Sequence, residues 1–285
     1  MSGSLTVPAI AGVEEAFAMV DGRRMRYLKT GSGAALILLH GIMSYSFSWR
    51  FNLDPLAHLA TLYAPDLLNY GYSQRDLSLP ADLRSTAERL LRFLDCVGVE
   101  SAHLLGSSHG GSVVMALAAL HPERVKSLVL VSPANPWSQS ADWLLRFYAT
   151  RLGRLSARLI PYFPLRLQKW RYADMYGDPA RLPPGTVEGY LGSWRIAGTT
   201  AYSMKIVQGW REDMKFLEEC ISRLTMPVTI LWGDCDPVVS SRSALALAER
   251  MPHAQLKFVA GAGHQPYEEL PAEFNAIVEE HLGNL

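Results

Sequence analysis

The chain has 285 residues, of which 49% are hydrophobic and 19% charged. That composition supplies enough apolar side chain for a substantial core and excludes a disordered chain or a long coiled coil, while the length allows two ordinary domains or one large α/β domain with an insertion. Twenty-seven basic residues balance 27 acidic ones, so no global field draws the protein to nucleic acid.

In chain order, short apolar runs ending in turn signals predict strands at Ala16 to Val20 and Met25 to Lys29, joined by the tight-turn pair Asp21-Gly22 as an antiparallel hairpin. Further strands are predicted at Leu36 to His40, Thr61 to Pro65, Ala102 to Gly106, Ser127 to Val131, Val228 to Trp232 and Gln255 to Val259. These alternate with helical patterns at Leu83 to Val97, His109 to His121, Ser240 to Met251 and Pro271 to Leu282, so the later strands should run parallel. The expected fold is α/β: an eight-stranded, mostly parallel sheet with helices on both faces.

The stretch between Val131 and Val228 breaks the alternation, being about three times what a crossover needs. Up to Tyr172 it is rich in Trp, Tyr and Phe and carries seven basic residues against one acid, Asp142. It reads as an inserted helical cap, residues 135–208, on a core made of residues 1–134 and 209–285. Within it Leu144, Tyr148, Leu152, Leu155 and Leu159 share one helical stripe flanked by Arg151, Arg154 and Arg158. The ordinary expectation for such a pattern is a helix resting its apolar stripe on the core with its charged face solvated. Attraction to a lipid surface or an anionic substrate is the competing reading.

The three cysteines, Cys96, Cys220 and Cys235, are far apart and without paired spacing, so they read as free thiols rather than a zinc site or a disulfide framework. The first residues lack the charged and apolar regions of a signal peptide, and no apolar run is long enough for a membrane span. A cytoplasmic location without a transmembrane segment is the expectation.

Chemistry concentrates in three loops. Gly106-Ser107-Ser108-His109-Gly110 is a G-x-S-x-G pattern set between a predicted strand and a predicted helix. A reversal that sharp puts Ser108 in a strained backbone conformation with its hydroxyl projecting, and the flanking glycines leave room for it. The pattern arises by chance roughly one time in ten in a chain this long, so its context must carry the reading. A serine hydroxyl needs a general base and a group that orients the base. Gly233-Asp234-Cys235-Asp236-Pro237 follows a strand and offers Asp236, with Asp234 as a lesser rival. His264 stands in the glycine-rich loop after the last strand. An oxyanion would be met by the N–H of His109 at the start of the helix, and by that of Ile42, or less favourably Met43, after His40-Gly41.

Five stretches in this order, LILLHGIM, APDLLNYGYSQ, HLLGSSHGGSVVMALAALHPERVKSLVLVSP, PVTILWGDCDPVV and VAGAGHQPYEELPAEFN, resemble the α/β-hydrolase superfamily in its capped esterase, lipase and haloperoxidase-like branch. The resemblance spans nearly the whole chain. It implies Ser108 as nucleophile, His264 as base, Asp236 as orienting acid, and the N–H groups of Ile42 and His109 as the oxyanion hole, with no metal or organic cofactor. Asn69 stands where such sequences usually carry glycine, and asparagine still tolerates left-handed backbone. Ser132-Pro133-Ala134-Asn135 holds no carboxylate where some relatives place the acid.

The implied activity is hydrolysis of a small carboxylic ester with an apolar acyl or alcohol group through an acyl-enzyme. A serine at the elbow sets aside relatives that use aspartate there to cleave carbon–halogen bonds or epoxides. The alternatives are a carbon–carbon bond hydrolase acting on a keto-dienoic acid, with cap arginines holding its carboxylate, and a receptor-like homologue that binds a small ligand. Weak lipid-surface contact through the cap is a further expectation.

Overall fold

The computed structural model describes residues 10, 12–138, 146–148 and 150–285. One eight-stranded sheet runs in the order β1-β2-β4-β3-β5-β6-β7-β8, built from β1 (Glu14–Val20), β2 (Arg23–Thr30), β3 (Ala35–Leu39), β4 (Thr61–Pro65), β5 (Ala102–Ser107), β6 (Val125–Val131), β7 (Val228–Gly233) and β8 (Gln255–Val259). The expected strands are all present. Asp21 and Gly22 both take positive φ, 51° and 73°, the turn whose twist matches an antiparallel hairpin. β2 pairs antiparallel with β1 and β4, and every other neighbouring pair is parallel.

Because successive strand residues face opposite sides, each apolar run feeds two cores. Ile37, Leu39, Leu104 and Leu130 point to one core, shared with α2 (Leu83–Cys96) and α3 (His109–Leu120); Leu36, Leu38, Leu105 and Val129 point to the other. The second core is closed by α1 (Leu53–Leu56) and, near the C-terminus, by Phe274 and Val278. α2 opens on Asp82, whose carboxylate accepts the Ser85 N–H at 2.8 Å, a cap that satisfies one orphan donor of the first turn. α3 is buried from His109 through Ala118, as a helix that is apolar all round must be.

Between β6 and β7 lie α4 (Arg151–Ala157), α5 (Leu165–Ala173), α6 (Thr186–Trp194) and α7 (Thr199–Ile221). α8 (Ser241–Arg250), α9 (Pro266–Glu269) and α10 (Pro271–Gly283) follow, so the four expected helices are all found. The 23-residue α7 was not foreseen. It runs unbroken across residue 208, the point at which the sequence reading divides insertion from core, and its Tyr202, Ile206, Leu217 and Ile221 join the core beneath α3. No helix among the described residues is long and apolar enough to cross a membrane.

The apolar stripe on residues 144–159 behaves differently from the ordinary expectation. Leu144 lies outside the described residues. Thr150 caps α4, its hydroxyl accepting the Gly153 N–H at 3.0 Å, so α4 is a short separate helix. Its packed side is the small one: Ala157 meets Met204 and Val207 of α7, and a Cβ on Gly153 would sit 2.0 Å from the Phe147 carbonyl oxygen. Leu152, Leu155 and Leu159 lie on other faces and are 69%, 60% and 58% exposed. Close backbone approach, available only to small residues, decides which side of α4 is buried.

Candidate active site

Ser108 stands between the end of β5 and the first turn of α3, with φ 52° and ψ −123°. Non-glycine residues hold positive φ only when their surroundings enforce it. Here the Ser108 N–H donates to the Val131 carbonyl at 2.9 Å, and its own carbonyl accepts from Gly111 and Ala134 at 2.9 and 3.1 Å. Side chains at the flanking glycines would collide with backbone: a Cβ on Gly106 would lie 2.5 Å from the Gly110 carbonyl oxygen, and one on Gly110 would lie 2.4 Å from that of His40. The turn therefore needs both glycines.

His264 and Asp236 meet across 28 residues of chain, with Nδ1 2.8 Å from Oδ2. The other Asp236 oxygen accepts the N–H groups of Val238 and Val239 at 2.8 and 2.9 Å. Burial pushes the Asp236 carboxyl upward, but the facing His264 and the two N–H donors outweigh it and hold it below the ordinary carboxylate range. Asp236 is thus an anion aimed at Nδ1, and His264 lines the same pocket as Ser108. Asp234, the rival acid, is exposed and accepts the Gly261 N–H at 2.6 Å, away from His264.

The loop after β3 is set by a second imidazole. The Leu67 N–H donates to His40 Nε2 at 3.0 Å, so the ring proton sits on Nδ1 and points at the Gly41 carbonyl, 2.8 Å away. Burial lowers the pKa of His40, in keeping with that neutral form. Ile42 follows, and Met43 takes φ 60°. As the first N–H of α3, that of His109 has no carbonyl one turn back to bond. The His109 side chain is buried, with Nε2 lacking a partner, and burial lowers its pKa to about 4, so the ring is neutral at physiological pH. Asn69 has φ 73° and braces its turn through both amide atoms on the Asp76 backbone, which is how an asparagine serves where glycine is usual.

Ser108, His264, Gly41 and Ile42 line one cavity of about 220 Å³. Its other walls are largely aromatic or apolar: Met43, Tyr172, Met175, Tyr190, Trp194, Val238 and Tyr267, with Ser44, Ser107 and Gln265. Tyr172 stacks on Tyr190, and Tyr190 on Trp194, at centroid separations of 5.3 and 5.9 Å. The lining holds no lysine, arginine or carboxylate among the described residues. Nor can any group of three or more His, Cys, Asp or Glu among them hold a metal ion.

Two carboxylates that sequence reasoning passed over tie this wall to the His264 loop. Glu268 accepts hydrogen bonds from Tyr176 at 2.9 Å and from Tyr190, and pairs with Arg50 at 3.0 Å. Burial first, and the nearby Glu268 charge second, raise the pKa of Tyr172 and Tyr190, so both remain neutral donors. Tyr172 donates to Gln265 at 2.8 Å. Glu269 accepts the N–H groups of Gly177, Asp178 and Gly263 at 2.9, 2.9 and 2.7 Å. The His264 N–H itself donates to the Met175 carbonyl at 2.8 Å. The adjacent acids after His264 were the available signal, since buried carboxylates need several donors.

Residues 34–271 match the α/β hydrolase fold family. Over 96% of its length the chain is 32% identical to 71% of the dihydrolipoyllysine-residue acetyltransferase component of the acetoin cleaving system of Cupriavidus necator. It is 26% identical to 2-hydroxymuconate semialdehyde hydrolase of a Pseudomonas species, covering 92% of this chain and 91% of that one. The crystal structure of a membrane phospholipase A superposes with a TM-score of 0.82 at 26% identity, covering 96% of this chain and 87% of that one.

Proposed function

The chain belongs to the α/β-hydrolase family, and from that premise we propose that it hydrolyses carboxylic esters with apolar acyl or alcohol groups, Ser108 being the nucleophile, His264 the general base and Asp236 the group that orients it. The observation that carries this reading is the convergence of Ser108 and an Asp236-oriented His264 on one apolar cavity. His264 Nε2 takes the hydroxyl proton as Ser108 Oγ attacks the acyl carbon, and Asp236 stabilises the imidazolium that forms. The oxyanion is received by the N–H groups of Ile42 and His109; losing one such donor costs about 2.7–4 kcal/mol of transition-state stabilisation. The same imidazolium returns the proton to the departing alcohol. Water, deprotonated by His264, then releases the acid from the acyl-enzyme.

Residues 135–208 act as the cap in this reading, Tyr172, Tyr190 and Trp194 forming the acyl-pocket wall. A cavity of about 220 Å³ lies below the usual range of ligand pockets, so short acyl groups should be preferred. Carbon–carbon bond hydrolysis of a keto-dienoic acid is the second reading, favoured by the likeness to the semialdehyde hydrolase. It is weakened by a lining without a cation for the substrate carboxylate.

The test is a series of p-nitrophenyl esters from acetate to palmitate, alongside a keto-dienoic acid. Ester turnover peaking at short chains supports the proposal. Turnover of the dienoic acid alone would replace it with the second reading, and ligand binding without any turnover would leave a receptor-like homologue.

A further inference from the structure

Nine of the fifteen large apolar side chains that are exposed among the described residues fall between Phe147 and Trp170. Monomeric soluble proteins rarely present so much apolar surface without a use for it. The exposure is built in: α4 packs through Gly153 and Ala157, leaving Leu152, Leu155 and Leu159 outward. α5 is fastened by Gln168, which donates to the carbonyls of Pro161 and Phe163, while Trp170 is 62% exposed and Tyr162 65%. α4 buries its small residues and presents its leucines, while α5 buries Gln168 and Tyr172 and presents Leu165, Leu167 and Trp170.

The charge on this stretch is as one-sided as its apolarity. Residues 146–171 contain Arg146, Arg151, Arg154, Arg158, Arg166, Lys169 and Arg171, and no acid, in a chain whose formal net charge is zero. Arg146, Arg151, Arg158, Arg166 and Arg171 are exposed. Leucines flanked by arginines, with Tyr and Trp beside them, match the two layers of an anionic bilayer: headgroup phosphates for the guanidinium groups, and the acyl boundary for the leucines and aromatic rings. A second copy of the chain would bring the same positive charges face to face.

We propose that the α4–α5 surface docks on anionic phospholipid bilayers, lying in the interface without spanning it. This assignment stands on surface chemistry and does not depend on the hydrolytic reading. It does have a geometric consequence for the site: α5 carries Trp170 outward and, two residues later, Tyr172 into the cavity wall. A docked protein would therefore hold its cavity close to the membrane.

Co-sedimentation of the full chain with sucrose-loaded vesicles, phosphatidylcholine mixed with equal phosphatidylserine or phosphatidylcholine alone, tests the proposal. Two triple variants accompany wild type: Arg151→Glu/Arg158→Glu/Arg166→Glu and Leu152→Ser/Leu155→Ser/Leu159→Ser. All six positions are exposed, and thermal melts check that both variants fold. Wild type should pellet with the anionic vesicles and much less with the zwitterionic ones. Each basic residue near an anionic surface is worth about fivefold in affinity, so reversing three charges should weaken binding by at least about a hundredfold. The leucine variant should lose binding on both vesicle types. Wild type that stays in the supernatant, or binds both vesicle types equally, overturns the proposal. So does sedimentation velocity showing a dimer that the leucine variant abolishes while no vesicle is bound, which would assign the surface to a second copy of the chain.

Discussion

The β5–α3 junction and the α4–α5 surface use side-chain size in opposite ways. At the junction, large apolar residues such as Leu104, Leu105 and Val113 fill the interior, and glycines at 106 and 110 admit backbone contacts around Ser108. On α4 the small residues are buried and the leucines face out. A sheet covered on both faces leaves its large residues only one environment, the core. A short helix docked by close backbone approach leaves them solvent. Apolar patterning thus identifies the surface that excludes water in the first region and a surface left to solvent in the second.

Truncating one leucine in each region separates the two environments most strongly. Leu104→Ala, in the fully packed interior, should lower unfolding free energy by about 2–5 kcal/mol, whereas Leu155→Ala should stay within about 0.5 kcal/mol of wild type. Urea titrations of the two variants read this directly, and comparable losses would place Leu155 in a packed core after all.

A smaller effect should appear where the two regions are stitched together. Glu269→Gln keeps the shape but turns one of its two accepting oxygens into an amide donor, so the N–H groups of Gly177, Asp178 and Gly263 can no longer all be accepted and the charge facing Arg181 is lost, a loss of about 1–3 kcal/mol. Because those bonds hold the His264 loop against residues 175–178, ester turnover should fall more than KM changes. A variant as stable and active as wild type would make this stitching incidental.

The smallest effect concerns α7, which serves both regions. Asp213 on this helix accepts the Leu83 N–H at 2.9 Å, while its other oxygen has no partner. Burial raises its pKa to about 6. A carboxyl raised on folding contributes stability that is fully present below its unfolded value, near 4, and is lost as pH rises through about 6. Asp213→Asn keeps the acceptor and removes the charge, so it should gain on the order of 1 kcal/mol over wild type at pH 8 and little at pH 4. Parallel stability–pH curves for the two proteins would contradict this.

Much of the fold was legible because strand periodicity and two-sided burial coincide: the runs at 36–40 and 102–106 have only one environment to enter. The loop residues Ser108, Asp236 and His264 were legible for a different reason, since each sits at the C-terminal end of a strand where an α/β sheet assembles its sites. What escaped was decided by tertiary contacts. The orientation of α4 depends on which backbone comes near Gly153, and the roles of Glu268 and Glu269 depend on tyrosines and amides about ninety residues away. α7 escaped because neighbouring residues on it serve different partners, Met204 and Val207 meeting α4 while Tyr202, Ile206, Leu217 and Ile221 join the core.

The central claim, that Ser108 is a nucleophile activated by the Asp236–His264 pair, is tested most directly by labelling with a fluorophosphonate and mapping the adduct by mass spectrometry. One adduct on Ser108 is expected in wild type, none in Ser108→Ala, and labelling slowed by at least about a hundredfold in His264→Ala. Labelling of another residue, or labelling of Ser108 at an undiminished rate without His264, would contradict it.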